Sequence, residues 1–341
     1  MLEKHLMTDN FDLMEINDLS KNANGGTEQM LRRLYSSLPR DILKEFQIIP
    51  SRVRDLKEDK YRVLWLHDLH NDPEAKNNLE DGAWHRFHRI VFVSNWQMQN
   101  FIQLYNIPWS RCIVMQNAIE PMPEKVKRDD DFVKLIYHTT PHRGLQLLLP
   151  VFDKLCETYN NLQLDVYSSF KLYGWAERDE QYKELFDFIE AHPNMTNYGS
   201  VSNEEVRTAL SQADIFAYPS IWPETSCLCL MEAMSAGLNC VHPNYGALYE
   251  TGAGWTTMYH WHEDLNEHAK MHYMMLDNVI KNIKNENQIG RQESQRAFVN
   301  AFYNWEAVRT KQWMAFLQSI LASNEPREIT EPEKSFEYRV A

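Results

Sequence analysis

The chain lacks the features that mark a secreted or membrane-spanning protein. No window approaches 18 uninterrupted apolar residues, so no transmembrane helix is expected. The first residues, MLEKHLMTDNFDLMEIND, are charged throughout and do not resemble a signal peptide. The 5 cysteines are scattered and odd in number, which indicates reduced thiols rather than a disulfide framework. These absences predict a soluble, cytoplasmic protein.

Positive charge is also scarce. Lys and Arg number 35 against 48 Asp and Glu, which gives a net charge of −13. Because a broad nucleic-acid footprint usually needs a basic face, nucleic acid is disfavoured as a partner, although a local patch is still open. Such a patch could form near the amino end from Arg32, Arg33, Arg40 and Lys44. It is either a solvated face or a contact for an anionic acceptor or a membrane surface.

Short apolar runs alternate with helical patterns along the chain. Seven runs predict strands: YRVLWLHD (61–68), RIVFVSN (89–95), RCIVMQN (111–117), VKLIYHT (133–139), LQLDVYS (162–168), ADIFAYPS (213–220) and NCVHP (239–243). This alternation predicts an α/β fold with parallel sheets, and the lack of polar alternation fits sheets covered on both faces. FDLMEI (11–16) is a weak candidate for a first strand.

The stretch EPMPEKVKRDDD (120–131) combines prolines with clustered charges, which predicts a linker between two domains. A long helical pattern follows at 292–321, and the tail after it is acidic, contains two prolines and is expected to be loosely held. The predicted division is an amino-terminal domain (1–122), a carboxy-terminal domain (123–300), a final helix (301–323) and a tail (324–341).

The most informative stretch is PETSCLCLMEAMSAG, residues 223–237. CLCLMEAMSA predicts a helix from about Cys227, with Thr225 or Ser226 as N-cap and Gly237 just past its end. The amino terminus of a helix exposes unpaired amides with partial positive charge, which suits an anion. This helix also follows a predicted parallel strand, and α/β sheets usually bind ligands at the carboxyl ends of their strands.

Two carboxylates flank this helix end. Glu224 precedes it, and Glu232 lies about 8 Å along the helix at about 1.5 Å per residue. A carboxylate repels a phosphate but accepts paired hydrogen bonds from vicinal hydroxyls. A nucleotide sugar, with hydroxyls on both sides of a diphosphate, fits this arrangement. The alternative is an ordinary loop carboxylate and a solvated helix position, but the apolar neighbours of Glu232 favour a functional role.

The run PSIWPETSCLCLMEAMSAG, followed by NYGALYETG, resembles the glutamate-x7-glutamate signature of retaining GT-B glycosyltransferases of sequence family 4. Five further segments are similar to that family: NANGGTEQM (22–30), VFVSNWQ (91–97), VMQNAIEP (114–121), YHTTPHRGLQLLL (137–149) and YGSVSNEEVRTALSQADIFAYPS (198–220). The resemblance implies two Rossmann-like domains whose parallel sheets face a central cleft. It places the acceptor on the amino-terminal side and the donor in the carboxy-terminal domain, with the final helix packing back on the first domain.

The resemblance also implies residue roles. Glu224 would hold donor-sugar hydroxyls, Arg143 would contact the diphosphate, and His67 would face the sugar. Glu232 would bind the ribose hydroxyls, and Gly26 would let the backbone approach the ligand. Ser200 and Val201 would lie near the base, and the amides of Ser226, Cys227 and Leu228 would face the sugar and the diphosphate. The remaining donor-binding positions are Gly25, His138 and Thr225.

Three features depart from the family pattern. Arg143 stands where a lysine is usual, and a guanidinium can bind a diphosphate through paired hydrogen bonds. His138 replaces an arginine, and histidine carries full charge only at lower pH. The proline, phenylalanine and glycine that usually follow the first glutamate are here Thr225, Ser226 and Cys227. The sugar preference of the family therefore does not transfer to this chain.

Two other clusters contain residue types that bind metals or undergo redox chemistry. A metal site is conceivable from His67, Asp68, His70, Asp72, His85 and His88. No second cluster completes a zinc spacing, so a polar strand end lining a cleft is the favoured interpretation. Cys227 and Cys229 form a C-x-C pair whose side chains, if both are helical, point to different faces, which disfavours a redox role.

The sequence therefore predicts a metal-independent, retaining hexosyl- or related glycosyltransferase with no cofactor and a nucleotide diphosphate sugar as donor. The resemblance implies front-face transfer, in which the leaving phosphate takes the proton of the acceptor. The acceptor stays open among a glycan, a lipid-linked glycan, a protein and a modified DNA base. Two alternatives remain: an epimerase or hydrolase of the same fold, and a non-catalytic nucleotide-sugar-binding partner.

Overall fold

The structure is a computed structural model that describes residues 10–15 and 25–329 of the 341-residue chain. The chain divides into two compact units. The first unit runs to Ala118 and resumes at Trp305, and the second unit is Ile119–Asn304. Each contains one sheet whose strand pairs are all parallel, so the predicted α/β class is confirmed.

The first unit is built on a four-stranded sheet with the order β1-β2-β3-β4. Its strands are β1 (Phe46–Pro50), β2 (Tyr61–Leu66), β3 (Arg89–Phe92) and β4 (Cys112–Val114). Its first helices are α1 (Gly26–Ser37), α2 (Arg40–Leu43), α3 (Pro73–Leu79) and α4 (Asn95–Tyr105). Every residue of β2 is buried, which explains why its sequence shows no polar alternation.

The second unit is built on a six-stranded sheet with the order β10-β9-β8-β5-β6-β7. Its strands are β5 (Val133–Tyr137), β6 (Leu162–Val166), β7 (Met195–Asn197), β8 (Ile215–Ala217), β9 (Asn239–Pro243) and β10 (Thr257–Tyr259). Its helices are α5 (Leu145–Cys156), α6 (Lys183–Ala191), α7 (Asn203–Gln212), α8 (Leu228–Ser235), α9 (Leu248–Gly252), α10 (Leu265–Lys281) and α11 (Glu286–Phe302). The neighbours β5 and β8 lie inside this sheet, and the polar segments that follow them form the candidate site described below.

Each unit has its own apolar core. Leu64, Phe92 and Phe101 are fully buried in the first, and Leu135 and Phe216 in the second. Full burial of such side chains stabilises a fold by about 1.5–3 kcal/mol each. The helices that cover these cores are amphipathic or short, and none within residues 10–15 and 25–329 could cross a membrane.

The amino-terminal segment differs from its prediction. The expected strand at 11–16 is wrong, because Asn10–Leu13 forms a 3-10 helix. The Asn10 amide donates to the carbonyl oxygens of Tyr35 and Leu38, at 2.9 and 3.1 Å, and so satisfies carbonyls at the end of α1. The sheet instead starts with β1, a short run that sequence reasoning missed together with β7 and β10.

The helical pattern predicted at 292–321 is interrupted. It ends as α11 at Phe302, and a π-helical turn at Trp305–Arg309 precedes α12 (Thr310–Ala322). At the break, the Ile119 amide donates to the Tyr303 carbonyl at 2.8 Å. The interruption therefore coincides with the return of the chain from the second unit to the first.

The described part of the carboxy-terminal tail is held in place, contrary to its predicted looseness. Glu325 forms a paired hydrogen-bonded ion pair with Arg89, at 2.6 and 3.0 Å. Arg327 forms a second ion pair, with Glu45. The tail through 329 thus belongs to the first unit, and the rest lies outside the described residues.

Candidate functional site

The segment between β8 and α8 carries most of the candidate residues. Cys227, and neither Thr225 nor Ser226, is the N-cap of α8, and its sulfur accepts a hydrogen bond from the Leu230 amide at 3.4 Å. The predicted cap was wrong because the chain is still bending at 225–226. Gly237 ends the helix as predicted, with φ +80° and its amide 3.1 Å from the Met234 carbonyl.

The backbone of Glu224 is fixed by an element distant in sequence. Glu224 forms an isolated parallel bridge with Gly246, and its carbonyl accepts from the Ala247 amide at 2.6 Å. Gly246 has φ +62°, and a Cβ there would lie 2.5 Å from both the nitrogen and the oxygen of Glu224. Only glycine fits this contact, so Gly246 is a positioning residue that sequence reasoning missed.

Arg143 is positioned by a second glycine. It ends the 3-10 turn Pro141–Arg143 that follows β5, and Gly144 comes next with φ +121°. A Cβ on Gly144 would lie 2.2 Å from the carbonyl oxygen of Pro219. The absence of a side chain therefore allows the arginine turn to lie directly against the segment that follows β8.

Arg143 and Glu224 are paired with each other. The guanidinium forms an ion pair with Oε1 of Glu224, and the hydroxyl of Tyr218 donates to the same oxygen. The side chains of Arg143 and Glu224 are 20% and 6% exposed. Burial opposes the charge on Arg143, but the Glu224 carboxylate outweighs it and raises the pKa of the guanidinium well above its usual range. The result is a largely desolvated, charge-compensated cluster.

Tyr218 is a hydrogen-bond donor in this cluster. Burial, with the Glu224 carboxylate, raises the pKa of its phenol well above the usual range, so the hydroxyl keeps its proton. Sequence reasoning missed Tyr218 because it continues the apolar pattern of β8 and carries no motif of its own.

Aromatic rings cover one side of Arg143. The guanidinium lies 5.9 Å from the ring of Trp222, which contacts His142 at 5.1 Å between centroids. His142 in turn stacks on Phe170 at 5.2 Å. Burial, with help from Arg143, lowers the pKa of His142 to about 4, so this ring is neutral near pH 7. Trp222 is 38% exposed and therefore forms part of the accessible surface beside the cluster.

A second group of polar side chains lies between the end of β5 and the first turns of α8. His138 is buried, and its Nε2 is 3.8 Å from Oε2 of Glu232. The sulfur of Cys229 lies 3.1 Å from the His138 carbonyl oxygen. Burial opposes protonation of His138, but Cys229 and Glu232 outweigh it and raise the pKa of the imidazole. The histidine that replaces a family arginine thus lies where its positive charge is favoured.

Ser200 and Val201 also belong to the second unit, but they follow a different strand of its sheet. They follow β7, two strands away from β5 in the sheet order. Gly199 turns the chain there with φ +61°, and its amide donates to Oδ1 of Asn197 at 3.1 Å. Their predicted place near a base stays a prediction.

Three predicted residues belong to the first unit. His67 directly follows β2, and its amide donates to the Ser51 hydroxyl at 2.9 Å. Burial lowers the pKa of the His67 ring to about 3, so the imidazole is neutral. Gly25 is the N-cap of α1 and Gly26 is its first residue. Residues 22–24 of the glycine-rich motif lie outside the described residues.

The histidine-rich stretch after β2 serves local structure. Asp72 caps α3 by accepting from the Glu74 amide at 2.9 Å, and Nδ1 of His88 accepts from the Arg62 amide at 2.9 Å. Nowhere in the described ranges do three or more His, Cys, Asp or Glu side chains gather as metal ligands would. These contacts give Asp72 and His88 structural roles, and the lack of a metal site in this stretch stays a prediction.

The predicted basic patch has much of its charge compensated. Arg40 forms two hydrogen bonds with Asp12, at 2.7 and 2.5 Å, and Lys44 pairs with Asp41 at 3.0 Å. Arg33 donates to the Ala118 carbonyl at 2.8 Å. A contact with an anionic acceptor or a membrane through this patch, which also included Arg32, stays a prediction.

The segment that contains the candidate site is similar in sequence to known proteins. Residues 118–271 match the family model described as Glycosyl transferases group 1, and this range contains Arg143, Glu224 and Glu232. A human phosphatidylinositol N-acetylglucosaminyltransferase subunit is 26% identical over 165 residues, which are 47% of this chain and 33% of that protein. The lipopolysaccharide 1,2-N-acetylglucosaminetransferase of Salmonella typhimurium is 26% identical over 206 residues, 57% of this chain and 50% of that protein. The chain thus spans half or less of these relatives.

Solved structures share the fold at low sequence identity. A glycosyltransferase from Rickettsia africae has a TM-score of 0.65 at 16% identity, covering 92% of this chain and 85% of that one. Anabaena HepE in complex with UDP-glucose has a TM-score of 0.58 at 15% identity, covering 77% and 72%. The pneumococcal O-GlcNAc transferase GtfA in complex with UDP and GlcNAc has 0.58 at 12% identity, covering 77% and 53%. Residues 118–271, a little under half of the chain, are thus similar to the glycosyl transferases group 1, and most of the chain shares the fold of these solved structures.

Proposed function

We propose that the chain is a retaining glycosyltransferase that transfers a sugar from a nucleoside diphosphate sugar to an acceptor hydroxyl. The observation that carries this proposal is the cluster of Arg143, Glu224 and Tyr218 just ahead of α8. The second unit would then be the donor-binding domain and the first unit the acceptor side. This assignment follows the family match over 118–271, which lies almost entirely in the second unit.

The cluster suits a ligand that combines a diphosphate with hydroxyls. Arg143 and Tyr218 both contact Oε1 of Glu224, so Oε2 would accept hydrogen bonds from sugar hydroxyls. The guanidinium has five N–H donors in a rigid plane, and those not used on Glu224 would bind the diphosphate. The amides of Ser226, Cys227 and Leu228 would add the positive end of the helix dipole. Glu232 would bind the ribose hydroxyls.

The transfer step would be driven by stabilisation of the leaving group. As the bond between the anomeric carbon and the phosphate oxygen breaks, negative charge develops on the diphosphate. Arg143, His138 and the α8 amides would stabilise this charge. The acceptor oxygen bonds to the anomeric carbon on the same face, and its proton passes to the leaving phosphate oxygen. Retention of configuration follows from this geometry.

Glu224 is a poor candidate for a covalent nucleophile. Its Oε1 already interacts with the Arg143 guanidinium and the Tyr218 hydroxyl, and its Oε2 would be occupied by sugar hydroxyls. A double-displacement route through a glycosyl-enzyme would need a carboxylate oxygen that is free to attack the anomeric carbon. The contacts therefore favour the front-face route. The roles proposed for His67, Gly25 and Gly26 at the sugar stay predictions from the resemblance.

We propose a metal-independent reaction without a cofactor, because Arg143 and His138 supply the positive charge that a divalent cation supplies in other transferases. The first donor to test is UDP-N-acetylglucosamine. Both curated relatives described above are named as N-acetylglucosamine transferases, and two of the neighbouring structures contain UDP or a UDP-sugar.

A donor screen tests the binding half of the proposal. Thermal unfolding of the full chain should be followed with UDP-N-acetylglucosamine, UDP-glucose and GDP-mannose, each with excess EDTA. A donor at 100 times its dissociation constant stabilises the fold by about 2.7 kcal/mol, which a clear rise in Tm would report. Binding by none of the nucleoside diphosphate sugars would contradict the proposal.

A transfer assay tests the chemical half. With the donor that binds, aryl glycosides and lipid-linked glycans serve as acceptors, and NMR of the product reports the anomeric configuration. We expect retention, and we expect Arg143→Ala and Glu224→Ala to lose turnover. Arg207→Ala should keep it, because Arg207 is a partly exposed arginine of the same unit that donates to the Pro121 carbonyl. Stoichiometric conversion of donor without acceptor would favour the epimerase or hydrolase, and tight binding without turnover would favour the binding protein.

A further inference from the structure

Trp222 carries an exposed aromatic ring beside the cluster of Arg143 and Glu224. It lies just ahead of Glu224 in the chain, in the loop between β8 and α8. Ser220 fixes the backbone of Trp222 on both sides, because its buried hydroxyl donates to the Trp222 carbonyl at 2.9 Å and accepts from the Trp222 amide at 3.2 Å. The exposed ring is therefore presented by a fixed backbone, as a binding surface requires.

Further aromatic rings support Trp222. His142 contacts the indole edge to face, with 83° between the ring planes, and His142 stacks on Phe170. Phe170 stacks in turn on Tyr182 at 5.8 Å between centroids, and the Phe170 amide donates to Oδ1 of Asp179 at 2.7 Å. A ring held by such packing loses little conformational freedom when a ligand binds, which favours affinity.

A buried ring nitrogen next to Trp222 points to a polar ligand. Within the residues that the structure describes, Nδ1 of His142 is buried and makes no hydrogen bond. A polar atom in this state is unfavourable unless a ligand or a water supplies the partner. Burial, with Arg143 and Arg178, lowers the pKa of His142 to about 4, so near pH 7 the neutral ring suits an uncharged group rather than a phosphate. A hydroxyl fits, because it can both donate and accept.

An exposed indole beside such a nitrogen suits a sugar ring. A pyranose carries C–H groups on its faces and hydroxyls around its edge. The C–H face can pack on the indole, where apolar contact and the negative face of the π system both favour it. A hydroxyl at the edge can bond to the contacting imidazole. A lipid chain would also cover Trp222, but it would leave Nδ1 of His142 without a partner.

We propose that Trp222 stacks a pyranose ring of the acceptor, with a hydroxyl of that ring on Nδ1 of His142, so that the acceptor is a glycan. The choice of the acceptor over the donor rests on the proposed function. In the front-face route the acceptor oxygen enters on the face from which the diphosphate leaves, so the acceptor lies beside the diphosphate. Arg143 is the proposed diphosphate ligand, and its guanidinium is 5.9 Å from the Trp222 ring. The second unit would then contribute to acceptor recognition as well as to donor binding.

Saturation-transfer NMR on the full chain tests the proposal without any donor. The probes are chitobiose, cellobiose, maltose and mannobiose at millimolar concentrations. We expect at least one of them to bind, with saturation reaching the C–H protons of one ring face most strongly. Trp222→Leu keeps an apolar cover beside Arg143 but removes the aromatic ring, so it should bind that probe about tenfold more weakly.

Two variants complete this comparison. Trp222→Phe should retain most of the affinity, and Phe188→Leu, which removes a similarly exposed ring from α6, should bind the probe as the wild type does. Binding of none of the disaccharides, or equal affinity of the wild type and Trp222→Leu, would overturn the proposal. A loss of affinity in Trp222→Leu that comes with a fall in Tm would give the ring a structural role only and would also overturn it.

His142→Phe tests the hydroxyl contact. It keeps a ring against Trp222 and Phe170 but removes Nδ1, so the probe should bind about 2–13-fold more weakly, as expected for the loss of one hydrogen bond. Equal affinity would overturn that part of the proposal.

Transfer assays separate this proposal from the proposed function. If a disaccharide binds through Trp222 in a chain that binds no nucleoside diphosphate sugar, the proposed function fails; the sugar site then stands, but its assignment to an acceptor is wrong. If the chain transfers a sugar and Trp222→Leu leaves the KM for a glycan acceptor unchanged, the stacking proposal fails while the proposed function stands. Transfer only to acceptors that contain no sugar would have the same meaning.

Discussion

His67 and His138 each directly follow a parallel strand of their unit, yet their pKa values are shifted in opposite directions. Burial alone acts on His67 and lowers its pKa to about 3. His138 is also buried, but Cys229 and Glu232 raise its pKa. A strand end in an α/β unit therefore does not decide charge; the side chains packed around it do. Positive charge is favoured at the end of β5 in the second unit and disfavoured at the end of β2 in the first.

The ion pairs of the two units also differ, in how far their side chains are exposed to solvent. Arg143 and Glu224 are 20% and 6% exposed, whereas Arg89 and Glu325 of the first unit are 22% and 33% exposed. The more buried pair depends more strongly on both partners, since a charge left alone in a desolvated place is costly.

The largest effect is expected from Arg143→Ala. It leaves the buried Glu224 carboxylate without its cation, which should lower the free energy of unfolding by about 3–5 kcal/mol. Urea unfolding at pH 7 measures this. The double variant with Glu224→Gln should recover part of the loss, because the unpaired charge is gone. A loss below about 1 kcal/mol would mean that the pair is effectively solvated.

Gly246→Ala should have the next largest effect. It combines a positive φ with a clash against the backbone of Glu224, whereas Gly254 has φ +78° but open space where a Cβ would lie. Gly254→Ala is thus a matched control for the strain of positive φ, which costs about 1–3 kcal/mol. Gly246→Ala should lower Tm further than the control and should also weaken donor binding. Equal effects would show that the Glu224 contact contributes nothing.

The pH dependence of stability should follow the buried histidines. Burial lowers the pKa of His242 to about 4, so below the usual value of about 6.5 the unfolded chain binds a proton that the folded chain does not. His242 should therefore make the free energy of unfolding fall by about 1.4 kcal/mol per pH unit as pH drops from about 6.5 toward 4. His67 and His142 act in the same direction. Urea unfolding between pH 4.5 and 7 should show a smaller slope in His242→Gln.

His138 should change the free energy of unfolding with pH in the opposite direction. Its raised pKa means that its contribution to stability is complete below about 6.5 and is lost as pH rises through the folded pKa. His138→Gln should therefore alter the neutral to alkaline limb of the same stability curve and leave the acid limb unchanged. A change confined to the acid limb would contradict the difference between His67 and His138.

The smallest effect is expected from Glu325→Gln in the first unit. The partly exposed pair with Arg89 should contribute about 0.2–1 kcal/mol. Arg89 lowers the pKa of Glu325, so this contribution is present above about 4.5, the usual value, and disappears as pH falls through the folded pKa. Thermal unfolding at pH 7 and pH 3.5 would measure it. A loss at pH 7 as large as that in Arg143→Ala would remove the difference between the two pairs.

Much of the architecture could be predicted because it rests on local patterns. Seven strands follow from short apolar runs, and the end of α8 follows from Gly237. Failures came where a distant contact decides the conformation. The Asn10 segment packs on the end of α1, and the backbone of Glu224 is fixed by Gly246. Neither contact leaves a periodic signal in the sequence.

The candidate site shows the same division. The places of Glu224 ahead of α8 and of Glu232 within it could be predicted from the sequence, but the ion pair of Glu224 with Arg143 could not. Tyr218 looks like an ordinary strand residue until the structure shows its hydroxyl on Glu224. Cys227 has extended rather than helical backbone, which a C-x-C pattern does not reveal.

In the proposed function, Arg143, held by Glu224, binds the diphosphate of the donor. Calorimetric titration of UDP into the wild type, Arg143→Ala and Arg207→Ala measures this contact. A charged hydrogen bond contributes about 1.5–3 kcal/mol, so we expect Arg143→Ala to bind UDP roughly 10–150-fold more weakly and Arg207→Ala to bind it like the wild type. Equal affinity of a folded Arg143→Ala and the wild type would contradict the claim.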